Sequence, residues 1–112
     1  MNIIKRDGSI VEFDRNKIVQ AINKAFIEVD GKIYEDDTSN SIADDIQRSI
    51  EFFNKTSTKK ISVEDIQNMV EEYLMESERK DVARAYIRYR YKKEILRQTS
   101  KTYDGILELV EM

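Results

Sequence analysis

Two groups of basic residues are the part of this sequence that could do chemistry. Lys5 and Arg6 stand just before Asp7-Gly8 near the start of the chain, and Lys17 follows shortly after. Much later, Arg84, Arg88 and Lys92 recur every fourth residue, with Arg90, Lys93 and Arg97 among them. Clustered bases attract anions, phosphate above all. A period of four puts Arg84, Arg88 and Lys92 on one face of a helix. Spacing alone does not say which bases of this helix face the Lys5-Arg6 turn. Either cluster taken by itself could equally be a solvated surface.

Composition removes most other chemistry. Cysteine and histidine are both absent. Disulfides, zinc ligation by thiol or imidazole, a thiol nucleophile and a histidine base are therefore excluded. Gly8, Gly31 and Gly105 stand singly and none precedes Lys-Ser or Lys-Thr, so there is no Walker-type phosphate loop. A phosphate site here has to be assembled from side chains and a helix start. Such a site binds and, without a placed water or base, does not hydrolyse. Metal would come as Mg²⁺ carried on a nucleotide, because that ion is commonly held through substrate phosphates.

The chain has 112 residues, 40% hydrophobic and 37% charged, with no proline. That length fits one domain and the composition suits a soluble, helix-rich one. No stretch is long and apolar enough to span a bilayer and no signal-peptide pattern opens the chain, so a cytoplasmic location is expected. The net charge of −3 conceals an asymmetry. Residues 28–78 carry fourteen acids and five bases, whereas residues 79–97 carry eight bases and two acids. A basic helix lying beside acidic ones accounts for this, and an anionic ligand at the basic end is compatible with it.

The elements that must position the bases follow from pattern. Ile3 and Ile4, the Asp7-Gly8 pair, and Ile10, Val11 and Phe13 predict a β-hairpin with a tight type I′ turn. Val11 and Phe13 then share one face, with Ile10 and Glu12 on the other. Asp14 is a helix cap, and Ile18, Ile22, Ala25, Phe26 and Val29 form a helical stripe that Asp30-Gly31 ends. A polar connection through Tyr34 and Asp37 leads to a second helix over 38–54, with Ile42, Ile46, Ile50 and Phe53 inward. Ser62 and Asp65 form a capping box, with Ile61 and Ile66 as its hydrophobic staple. The third helix then buries Ile66, Met69, Val70, Tyr73 and Leu74. A fourth spans 78–98 with Val82, Tyr86, Tyr89 and Leu96 as its core stripe. The expected fold is mainly α, a four-helix bundle-like domain capped by a short N-terminal β-hairpin. Residues 99–112 read as a linker or the start of the next segment of a larger parent protein.

Three of these stretches resemble a known family. Ile3-Ile4-Lys5-Arg6-Asp7-Gly8 with Val11-Glu12-Phe13-Asp14 and Lys17-Ile18 is similar to the opening of the ATP-cone domain. Ser62-Val63-Glu64-Asp65-Ile66-Gln67 resembles its third-helix start, and Val82-Ala83-Arg84-Ala85-Tyr86-Ile87-Arg88-Tyr89-Arg90 its last helix. The likeness covers residues 2–97, which sets the expected cone at 1–98. ATP-cones occur in ribonucleotide reductases and in a transcriptional repressor of reductase genes. That repressor carries a cysteine-built zinc ribbon ahead of its cone. This chain opens directly on the cone motif and has no cysteine, which points away from the repressor. The last-helix run looks most like the anaerobic, glycyl-radical ribonucleoside-triphosphate reductases.

The resemblance implies a non-catalytic regulatory domain of such a reductase, with ATP permitting reduction and dATP inhibiting it. Its partners would be the nucleotide, the parent's catalytic domain and, depending on nucleotide, further copies of itself. Carried over residue by residue, Lys5 and Arg6 would hold phosphates with Lys17 beside them. Ile3, Val11 and Asp14 would surround base or ribose, and Val63 and Gln67 would face the nucleotide from the third helix. Some cones have threonine and histidine at those last two positions, so a hydroxyl contact to phosphate is lost here. The register of Arg90-Tyr91-Lys92-Lys93 leaves either lysine for the last phosphate contact, and we assign Lys92. The alternatives are a nucleic-acid-binding helical domain, motivated by the basic 79–97 segment, and a nucleotide-responsive transcriptional regulator. The acidic overall charge counts against nucleic acid.

Overall fold

The computed structural model describes residues 1–32 and 38–110, and for residues 100–110 the backbone alone. Strands β1 (Asn2–Ile4) and β2 (Ile10–Glu12) are followed by helices α1 (Arg15–Asp30), α2 (Thr38–Thr56), α3 (Val63–Glu76) and α4 (Lys80–Val110). The connection through Tyr34 and Asp37 lies outside the described residues, as do the side chains of the tail.

The helices form because each carries an apolar stripe, and they close into a ring because each stripe needs a partner. Helix α1 packs on α2 and α4, and α3 packs on the same two. Ile22, Ile46, Ile50, Val70, Leu74 and Val82 are fully buried at the centre. Burial of each such side chain contributes roughly 1.5–3 kcal/mol. The small Ala83 and Ala85, both wholly buried, let α4 approach its neighbours closely. Helices α1 and α4 run in opposite directions. Asp30 Oδ1 meets Arg79 Nη2 at 2.7 Å, Glu28 lies 3.9 Å from Arg88, and Lys24 sits over the Tyr89 ring.

Capping follows the expected chemistry. Asp14 accepts the Asn16 N–H at 3.0 Å, and the Gly31 N–H, at φ +76°, closes α1 on the Ile27 carbonyl. At α3, the Asp65 N–H donates to Ser62 Oγ and the Ser62 N–H donates to Asp65 Oδ2, each at 3.1 Å. The staple residues Ile61 and Ile66 are both buried.

The hairpin turn differs from expectation. The Gly8 N–H donates to the Lys5 carbonyl at 3.0 Å, and the Lys5 N–H donates to the Ser9 carbonyl at 2.8 Å. Arg6 and Asp7 are therefore the central residues, and Gly8 follows in the left-handed region at φ +86°. This is the three-residue loop, the next commonest hairpin after the two-residue type I′ turn. Asp7 favours it by accepting both the Ser9 hydroxyl (2.6 Å) and the Ser9 N–H (2.9 Å), bonds that hold its carboxyl below the usual carboxylate range. Ile3 pairs with Val11 across the sheet, so both face inward, whereas Ile10 is exposed. A two-stranded sheet is marginal alone. Here the Ile4 N–H donates to the Ile61 carbonyl at 3.0 Å, and Ile4 bridges Ser62 in parallel fashion. The hairpin is thus sewn to the start of α3.

Helix α4 is longer than the expected 78–98. It continues to Val110, and no proline interrupts it. Leu96, expected in the core, is 58% exposed. It keeps the angle of the core stripe but does not pack on the core among the described residues. With Asp30 level with Arg79, the equal rise of two antiparallel helices makes α1 run out at about residue 94.

Candidate functional site

Where α1 begins and the core ends, the hairpin, α1, α3 and α4 leave a cavity of about 320 Å³ between them. That is within the range of small-ligand sites, roughly 300–1,000 Å³. Its floor is apolar: Ile3 and Val11 from the sheet, Ile66 and Val70 from α3, and Tyr86 from α4. Its rim is charged. Lys5 comes from the hairpin, Lys17 from the first turn of α1, and Arg90, Lys93 and Arg97 from α4. Against these five bases stand two carboxylates, Glu12 and Asp14.

The bases are not equally available. Arg90 donates to Glu71 at 2.7 Å and to Asn68 at 2.8 Å, and Arg97 lies 3.3 Å from Glu94. Lys93 Nζ sits 5.0 Å from the centre of the Tyr89 ring. Lys5 and Lys17 take part in no ion pair among the described residues. Lys17 lies on a helix turn with no acid of its own, where the positive end of the helix dipole adds to its charge. The start of α3 is different, since Glu64 and Asp65 occupy its first turn. Of these two helix starts, only that of α1 carries more bases than acids, Arg15 and Lys17 against Asp14. An anion with an apolar body matches this cavity: charge at the rim, a flat hydrophobic part on the floor.

Two tyrosines mark the change from floor to rim. Burial pushes the Tyr86 hydroxyl up to about 12, so it stays neutral. Three residues on, a hydrogen bond from Lys93, with help from the charges of Lys93 and Lys24, holds the Tyr89 hydroxyl below the ordinary tyrosine value.

Seven of the nine residues expected at the site line this cavity: Ile3, Lys5, Val11, Asp14, Lys17, Val63 and Gln67. Arg6 and Lys92 do not. Lys5 is the last residue before the turn and lines the cavity, whereas Arg6, at the centre of the turn, points away from it. Arg6 is held outside by Glu64, Glu94 and Gln67. Of the two lysines proposed for the last contact, Lys93 lines the cavity and Lys92 does not. At about 100° per residue, Lys93 falls about 20° from the direction of Val82, and Lys92 about 80° away. The row Arg84, Arg88 and Lys92 lies off the cavity, with Arg88 turned to Glu28. Arg90, Arg97, Tyr86 and Tyr89 were not expected at the site. The stripe of Val82, Tyr86 and Tyr89, carried on to Lys93 and Arg97, finds all of these but Arg90, which lies about 80° from Val82. Among the described residues, no group of three or more carboxylates could hold a metal ion, and no helix is long and apolar enough to cross a membrane.

Comparison with known proteins gives this arrangement a family. The ATP cone domain model matches residues 1–95, from the hairpin to just past Lys93. The chain is 36% identical over 110 residues to the anaerobic ribonucleoside-triphosphate reductase of Haemophilus influenzae, covering 95% of this chain and 15% of that protein. It is 36% identical over 101 residues to the vitamin B12-dependent ribonucleoside-diphosphate reductase of Thermoplasma acidophilum, covering 86% of this chain and 12% of that protein. Against the ribonucleoside-diphosphate reductase subunit alpha of Chlamydia muridarum the figures are 38% over 104 residues, 88% and 10%. The chain thus spans a small part of the length of each relative. A family model that takes in the hairpin, all four walls of the cavity and the capped start of α3 leaves one conclusion: the chain belongs to the ATP-cone family.

Proposed function

We propose that this chain is an allosteric module that binds ATP or dATP in the cavity and sets the overall activity of a ribonucleotide reductase. The anaerobic ribonucleoside-triphosphate class is favoured, with ATP permitting reduction and dATP shutting it down. The observation that carries this reading is the pair of unpaired lysines, Lys5 and Lys17, at a helix start beside an apolar floor. In this reading Lys5, Lys17 and Lys93 hold the phosphates, with Mg²⁺ arriving on the nucleotide. Ile3, Val11 and Val63 pack on the base, and Asp14 and Gln67 offer polar contacts to base or ribose.

The chain is regulatory rather than catalytic, residues 1–98 form the cone, and 99–112 lead into the rest of a cytoplasmic parent protein. ATP and dATP differ by one hydroxyl, so a switch needs the two ligands to favour different packings or oligomers of the parent. Calorimetry tests the site. Saturable binding of both nucleotides is expected, weakened at least about a hundredfold in Lys5→Ala/Lys17→Ala, since each charged hydrogen bond is worth about 1.5–3 kcal/mol. Undiminished affinity in that variant would sink the assignment. Binding to DNA that falls steeply with salt would favour the nucleic-acid alternative instead.

A further inference from the structure

Arg6 stands beside the cavity without lining it, and its partners come from two different helices. Its Nη1 donates to Glu64 Oε1 at 3.0 Å and to Glu94 Oε2 at 2.5 Å, and its Nη2 donates to Gln67 Oε1 at 3.2 Å. Glu64 and Gln67 lie in the first turns of α3, and Glu94 lies on α4. One hairpin side chain therefore ties down both walls. Gln67 itself lines the cavity, so the guanidinium is one side chain away from it. Glu94 carries a second load: Arg97, a rim residue of the cavity, also turns to it at 3.3 Å. A single carboxylate is thus shared by two guanidiniums that border the same space. Arg6 and Glu94 are both only about one-third exposed, which shields their contact from water and salt.

Resting on the nucleotide reading above, we propose that Glu64 and Glu94 are internal competitors of the phosphates, holding Arg6 in an ionic latch that nucleotide binding opens. A triphosphate presents more negative charge than either carboxylate and accepts the same forked donors. When Arg6 turns to it, the hairpin gains a bond to the ligand and gives up the Arg6 side-chain bonds to α3 and α4, while its backbone seam at Ile61 stays. Arg97 is left as the described cationic partner of Glu94. Occupancy of the cavity is thereby converted into a change in how α4 is tied to the rest of the domain. The latch also sets the affinity, because part of the binding free energy is spent on breaking it.

The test is a double-mutant cycle read by calorimetry on the 112-residue chain with ATP. Glu94→Gln removes the competitor and keeps the side chain's shape, and is expected to tighten binding about two- to fivefold, the scale of one partly exposed ion pair. The same substitution in an Arg6→Ala background is expected to lose most of that gain. Glu51→Gln, which removes an equal charge from the exposed side of α2, is expected to change nothing. Weaker binding in Glu94→Gln would mean that the carboxylate helps to build the site, and would overturn the latch. An equal gain with and without Arg6 would mean simple repulsion, and would overturn it as well. These outcomes leave the nucleotide site standing as long as Lys5→Ala/Lys17→Ala weakens affinity by about the hundredfold or more expected above. If the unsubstituted chain bound no ATP, both proposals would fall together.

Discussion

At the end where α1 finishes and α4 starts, charge is matched. Arg79 donates to Asp30 at 2.7 Å and to Asp81 at 3.1 Å, and lies over the Phe26 ring. The two carboxylates raise its already high pKa further, so it stays charged throughout the accessible range. At the other end of the same helix pair, five bases face two carboxylates around an open space, and Lys5 and Lys17 have no ionic partner among the described residues. The two ends use similar side chains to opposite effect. A matched end holds the fold together, because removing Arg79 would leave the largely buried Asp30 carboxylate, whose Oδ2 already lacks a hydrogen-bond partner, without compensation. An unmatched end costs the fold some repulsion and reserves its charge for a ligand.

Three experiments can break or sharpen that contrast. The largest effect is expected from Ile22→Ala, in the fully buried centre, which should lower unfolding free energy by about 2–5 kcal/mol in denaturant titration. The nucleotide affinity of the folded fraction should not move; a loss there would mean that core and cavity are not separable. Next, Lys93→Ala should weaken nucleotide binding roughly tenfold with little change in stability, whereas Lys92→Ala should stay within about twofold. The reverse ranking would return the phosphate contact to Lys92 and show that α4 turns on binding.

The smallest effect concerns the tyrosines. The Tyr89 hydroxyl, held low by Lys93, becomes an anion below the ordinary tyrosine value of about 10, and it then pairs with Lys93 and repels phosphate. Affinity should therefore fall a few-fold as pH rises toward that value, and Tyr89→Phe should lose this component of the fall. Tyr86→Phe should keep it, since the Tyr86 hydroxyl ionises only near 12. A pH profile identical in all three proteins would remove Tyr89 from the site's electrostatics.

Much of the fold was legible because it is local. The caps at Asp14 and Ser62, the staple of Ile61 and Ile66, and the stripes of four helices are all set within a turn or two of chain. The turn type was not, because Asp7 chooses its loop through the Ser9 hydroxyl, a contact that an Asp-Gly pair alone does not disclose. Leu96 carried the right period but lay beyond the reach of α1, and the length of a partner helix is not written in one's own pattern. Seven residues that line the cavity could be named from motif, whereas the angle from Val82 brings Lys93 rather than Lys92 to its rim. Arg6 shows the deepest limit. Its partners lie 58 and 88 residues away, and only the folded chain brings them together.

The seam between Ile4 and Ile61 joins positions more than fifty residues apart. Contacts that close so long a loop form late, after the entropy of closure has been met by helices already in place. The mouth of the cavity is then the last part of the molecule to shut on folding and among the first to open. Amides of the hairpin should exchange with solvent through local openings while those of the central helices wait for global unfolding. A ligand that touches both Lys5 and α3 would hold that seam closed, and would slow hairpin exchange far more than exchange in the core.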